Sequence, residues 1–171
     1  MKDNRSVITP ESLRLGEIVR VEVYRGHRGH YAAEPDETPC VEDTIVTTGR
    51  NWLALRIGPV QNSPMGWMAV GTGTAAPALT DGSTPGLYGE VKRKALSTNT
   101  AGITAANIYT AVMTLGGSAD SVTSLVIQEA GVANHPNSGQ GTLFQRVIFS
   151  QVVLANSDLV KFTLETNVGS S

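Results

Sequence analysis

The chain has 171 residues, of which 16% are charged and 5% aromatic, with a formal net charge of −2. An average soluble domain carries roughly 25% charged residues, so this one is charge-poor, and its length suits one domain or one domain with an arm. Several classes are excluded: no apolar run approaches the roughly 18 residues of a membrane-spanning helix, and no basic field offers itself to nucleic acid.

The charges are concentrated at one end. Residues 1–50 hold seven of the 13 Lys and Arg and nine of the 15 Asp and Glu. This sets an expected composition boundary near residues 45–50, with a polar segment before it and the core-forming region after it. Met1–Pro10 is charged and lacks an apolar stretch, unlike a secretory signal. Residues 1–15 show no core pattern and read as an extended arm.

From Gly16 to Arg25 the pattern is period two. Val19, Val21 and Val23 share one face, with Arg20, Glu22 and Tyr24 on the other, which predicts a half-buried strand. Gly26–His30 ends it, and Glu34–Pro39 reads as an acidic surface loop. A helix is predicted near 49–57, with Thr48 as N-cap and Gly58-Pro59 as its stop. Trp52, Leu53, Leu55 and Ile57 are expected to form its apolar side.

After Gly66 the pattern is β. Trp67–Val70 is a short apolar strand, Gly71–Gly86 a long loop, and Glu90–Leu96 a strand whose basic residues suit an edge. Ile103–Leu115 and Val122–Ala133 read as one hairpin around Gly116–Asp120. Thr142–Leu154 and Leu159–Thr166 read as a second around Ala155–Asp158, with the polar loop His135–Gly141 between the two hairpins. Strands at this spacing predict a mainly all-β fold, a β-sandwich or jelly roll formed by residues 16–171.

Motifs for chemistry are weak. Gly71–Pro77 resembles a phosphate loop, but lacks the terminal Gly-Lys-Ser/Thr and is followed by no helix. It reads as a tight backbone crossing in which glycine supplies positive φ. His27 and His30 lie far from His135 and have no acidic partner at a fixed spacing, so no metal site is expected. Cys40 is the single cysteine, which excludes an internal disulfide, and its acidic neighbours disfavour a thiolate. No Gly-x-Ser-x-Gly elbow is present. Trp52 and Trp67 read as core anchors. Glu129 sits in an apolar run. A carboxylate buried there needs a cation, so a structural ion pair with Arg146 or Arg93 is expected across neighbouring strands. These readings favour no enzyme and no cofactor.

Taken in order, Trp67-Met-Ala-Val-Gly-Thr-Gly-Thr-Ala-Ala-Pro77, Leu87–Arg93, Val126-Ile-Gln-Glu-Ala-Gly-Val132, Gly141–Phe149 and Asp158–Leu164 resemble a family of small tailed-bacteriophage virion proteins. In that family a V-G-T-G-T-x-A-P loop, an E-x-x-R strand, an E-x-G strand and an R-x-x-F strand recur in this order, and several members are capsid decoration (cement) proteins. The resemblance spans residues 45–166. It implies a β-sandwich or jelly roll with a non-enzymatic role on the virion surface and leaves capsid and tail both open, the capsid surface being the first reading. It implies binding to the major capsid protein and to itself as a homodimer or homotrimer, with no nucleic acid and no membrane as partner. The arm would add contact area on several subunits, with Arg5, Val7, Ile8 and Leu13 as its capsid-binding positions. A related motif order occurs in tail-collar and tail-fibre proteins, so a tail adaptor is the alternative. A glycan-binding or hydrolytic jelly roll would need clustered aromatics or paired carboxylates, and ranks last.

Overall fold

The computed structural model describes residues 16–25, 36–38, 40–57, 63–81, 86–102, 108–116, 120–121 and 124–167. The arm 1–15, with Arg5, Val7, Ile8 and Leu13, lies outside them, as do His27 and His30.

The described residues form ten strands and one helix. In chain order these are β1 (Gly16–Tyr24), β2 (Asp36–Thr38), β3 (Cys40–Ile45), α1 (Thr47–Ile57), β4 (Trp67–Gly71), β5 (Glu90–Ala95), β6 (Thr98–Gly102), β7 (Ile108–Gly116), β8 (Ser124–Ala133), β9 (Leu143–Ala155) and β10 (Leu159–Asn167). They make two antiparallel five-stranded sheets, ordered β2-β1-β10-β7-β6 and β3-β9-β8-β4-β5. The all-β, sandwich-like fold expected from strand spacing is therefore present.

Register explains the core. In the first sheet Val21, Phe162 and Met113 stand in one row across β1, β10 and β7, and Val23, Val160 and Leu115 in another. All six are buried. In the second sheet Val70, Ala130 and Val147 form the corresponding row across β4, β8 and β9. Phe149 meets Phe162 across the sandwich with ring centroids 5.8 Å apart. One apolar cluster thus draws on both sheets, as two packed layers require.

Three expectations are corrected. Neither predicted hairpin exists: β7 and β8 lie in different sheets, and so do β9 and β10. Their short turns carry the chain across the sandwich. Instead β8 pairs with β9 in a hairpin closed by the 134–142 loop. Each crossing turn is pinned by an aspartate. Asp120 Oδ2 accepts from Gly116 N and Lys94 Nζ, and Asp158 Oδ2 accepts from Ala155 N and Arg25 Nη1. The composition boundary near 45–50 is no structural boundary either, since β1 and β3 are integral to the two sheets.

The helix begins earlier than predicted. Thr47 N donates to Leu79 O at 2.8 Å and Arg50 N to Val46 O at 3.0 Å, so Thr48 is already inside it. The Thr48 hydroxyl donates instead to Leu143 O on β9 at 2.8 Å. Trp52 and Leu53 pack on the core, Trp52 edge-on to Phe144 at 5.9 Å, while Leu55 is exposed. Leu55 lies about 200° from Leu53 around a 3.6-residue turn, so the two cannot share a face. Gly49 permits this packing, because a Cβ there would collide with the Phe144 backbone.

Candidate functional site: a buried charge cluster on the outer sheet face

Alternation puts Val147 and Ala130 into the core, so Arg146 and Glu129 lie on the opposite, outer face of the second sheet. Register aligns Arg93, Ala69, Gly131 and Arg146 in one row across β5, β4, β8 and β9. The next row contains Glu90, Gly71, Glu129 and Ile148. Small residues in the middle of these rows leave room for covering residues from 72–81 and 86–89. Leu87 sits over Gly131, where a Cβ would come within 2.9 Å of Leu87 Cδ2.

Beneath this cover Arg146, Glu129 and Asp81 form a triad. Arg146 Nε donates to Glu129 Oε2 at 2.8 Å, and Nη1 donates to Asp81 Oδ2 at 3.0 Å. The Arg146 and Glu129 side chains have no solvent exposure and that of Asp81 has 1%. A buried pair of this kind is tolerated only when further hydrogen bonds meet the remaining lone pairs. Here backbone amides meet several of them. Glu129 Oε1 accepts from Gly73 N at 2.9 Å and Gly89 N at 2.8 Å, and Asp81 Oδ2 accepts from Ala78 N at 2.9 Å. Tyr88 covers the guanidinium with its ring, 4.7 Å from centroid to Cζ, and its hydroxyl donates to Asp81 Oδ1 at 3.0 Å. That hydrogen bond, and then the Asp81 charge, hold the Tyr88 phenol above its ordinary pKa.

The expected pairing of Glu129 is with Arg146. Arg93 is not part of it. Its strand, β5, is separated from β8 by β4, and its Nη2 pairs with Glu90 Oε2 at 2.7 Å. Arg93 Nη1 faces three carbonyl oxygens of the β8–β9 loop: His135 at 2.9 Å, Asn137 at 2.8 Å and Gln140 at 3.2 Å. The Gly71–Pro77 reading is also corrected. Gly71 and Gly73 are absent from the positive-φ glycines, which among the described residues are Gly86, Gly116, Gly139 and Gly141. Glycine is needed at 71 and 73 for space, because a Cβ would lie 2.5 Å and 2.6 Å from Glu129 Oε1.

Sequence reasoning missed Asp81, Tyr88 and Gly89. The signal available for Gly89 was its place one residue before the basic strand. Asp81 had none, since an Asp-Gly pair reads as a turn. Cys40 falls on β3 rather than in a loop, opposite Phe149. His135 accepts from Asn137 N at Nδ1, and no group of metal-ligating side chains occurs among the described residues. No helix among them is long and apolar enough to cross a membrane.

Chemically, the cluster is a fastening. It attaches residues 72–81 and 86–89 to β8 and β9 by charge-assisted bonds shielded from water. Both Glu129 oxygens are taken up by protein donors. Comparison with protein-family models, with curated proteins and with solved structures finds no match to this chain.

Proposed function

We propose that the chain is a structural protein of a tailed-phage virion, a decoration or cement protein. It would bind the outer surface of the major capsid protein lattice and stabilise the head. In this reading it self-associates as a dimer or trimer and uses no cofactor, and neither nucleic acid nor membrane is its partner.

One observation carries the reading. The residues of the virion-like motifs, Gly71 and Gly73, Glu129, and Arg146, converge on a single buried cluster. Motif residues spent on fastening a covering segment suit a protein whose task is to hold its shape under load. The two-layer body supports the same role, because interdigitated sheets form a stiff core. Residues 1–15 would supply reach, ordering on the lattice and adding contacts there.

The test is quantitative mass spectrometry of purified virions that encode this chain. A shell protein is expected at on the order of hundreds of copies, and a tail-ring adaptor at about six to twelve. Absence from the particles overturns the virion reading altogether. Deleting residues 1–15 is expected to weaken binding to shells that lack the protein while leaving the body folded. Unchanged occupancy would remove the arm from the account.

A further inference from the structure

Arg146 Nη2 is buried and has no hydrogen-bond partner among the described residues. Its siblings Nε and Nη1 are both bonded to carboxylates. Buried polar groups are nearly always paired, and a donor on a charged group is the most costly to leave open. The cluster therefore needs one more acceptor beside Nη2.

The chemistry of that acceptor follows from the charges around it. Two carboxylates already face one guanidinium, so an anion would add a third negative charge in a site shut off from water. A cation would meet the hydrogens of Nη2. A small neutral group that both accepts and donates fits. It can accept from Nη2 and donate to a carboxylate lone pair left over. Asp81 Oδ1 is bonded only to the Tyr88 hydroxyl, and Glu129 Oε2 only to Arg146 Nε. Water with two or three such partners is the usual occupant of a polar interior site.

We propose that Arg146 Nη2 holds one internal water molecule, bridged to the Asp81 or Glu129 carboxylate under Tyr88. This water completes the triad and is part of what fastens Asp81 and Tyr88 to the sheet. The site stands apart from the virion reading, since it follows from the cluster alone.

A high-resolution crystal structure of the whole chain tests it. The expected result is one well-ordered water at about 2.7–3.2 Å from Nη2. A protein acceptor on Nη2, or a guanidinium edge packed against apolar atoms alone, overturns the proposal. Water-oxygen magnetic relaxation dispersion gives a second readout in solution. The wild-type protein should show one more long-lived internal water than the double variant Glu129→Gln, Arg146→Met. An equal count overturns the proposal, and if the double variant fails to fold the crystal structure decides alone.

Discussion

Gly73 and Glu129 are closer than any side chain at position 73 would allow. The Gly73 amide donates to Glu129 Oε1 at 2.9 Å, and a Cβ on the same residue would lie 2.6 Å from that oxygen. A carboxylate end is ordinarily free to swing aside. This one is held from two further directions, by Gly89 N at 2.8 Å and by Arg146 Nε at 2.8 Å.

Gly73→Ala should therefore destabilise the fold by about 1–3 kcal/mol, the usual cost of overfilling a packed site. Urea unfolding should show a lower midpoint at an unchanged slope. A midpoint equal to that of the wild type would mean that the carboxylate has slack the geometry does not show.

The triad predicts strong non-additivity. Arg146→Met leaves two buried carboxylates without their cation and should cost about 3–5 kcal/mol. Adding Glu129→Gln removes one of the stranded charges, so the double variant should be less unstable than the sum of the two single ones. Arg146→Lys should recover only part of the loss, because an ammonium lacks the planar fork that reaches Glu129 and Asp81 together. A double-mutant cycle measures the coupling. Additive costs would show that the two side chains do not share one energetic unit.

Much of the sandwich was legible because period two is a local property. Val19, Val21 and Val23 declare one face of β1 without reference to any neighbour, and the structure places Val21 and Val23 in the core. Pairing is not local. Gly116–Asp120 and Ala155–Asp158 have the composition of hairpin turns, yet both lead to the opposite sheet. The partners that meet these turns are distant in sequence: Lys94 on Asp120 and Arg25 on Asp158. The same division runs through the cluster. A carboxylate in the apolar run around Glu129 announces its need for a cation, and Arg146 sits 17 residues away in the partner strand of the hairpin. Asp81 and Tyr88 come from a loop with no periodicity, and their roles exist only once that loop lies over β8 and β9. Gly73 misled in a different way, since glycine spelled conformational freedom in the sequence and turned out to be needed for its missing Cβ.

Tyr88 links the cluster to pH. Its phenol is held protonated first by the hydrogen bond to Asp81 and then by the Asp81 charge, so its folded-state pKa lies above the unfolded one. A raised pKa of this kind gives stability that is complete below the ordinary tyrosine value near 10 and is lost as pH climbs through the folded value. Tyr109 is raised in the same direction by burial, so it adds to the alkaline loss. Tyr88→Phe keeps the ring over Arg146 but removes the bond to Asp81. It should lower stability at neutral pH and flatten part of the decline above pH 10, with the Tyr109 part remaining. Thermal melts across the alkaline range, with tyrosinate absorbance followed in parallel, provide the check. A decline of identical size in wild type and variant would dissociate Tyr88 from it.

Arg93 predicts a local effect of another kind. Its Nη1 is shared among the carbonyls of His135, Asn137 and Gln140, while Nε and Nη2 are both held by the Glu90 carboxylate. The guanidinium thus joins β5 to the β8–β9 loop, which also carries two glycines in the left-handed region, Gly139 at φ 70° and Gly141 at φ 82°. Without the cation, three carbonyl dipoles point at one another with nothing between them. Arg93→Ala, made together with Glu90→Gln so that no buried carboxylate is left without its cation, should leave both sheets intact and loosen the loop. Gln140 N, bonded to Asn137 O at 3.3 Å, and Thr142 N, bonded to Asn134 Oδ1 at 2.6 Å, should exchange faster with solvent. Core amides such as that of Phe162 should change little, because local opening and global unfolding draw on different free energies. Guanidinium ion added to the doubly substituted protein should slow the two loop amides again, since it refills the space between the carbonyls. Uniformly faster exchange across both sheets would instead make Arg93 a contributor to global stability and end its role as an organiser of this loop.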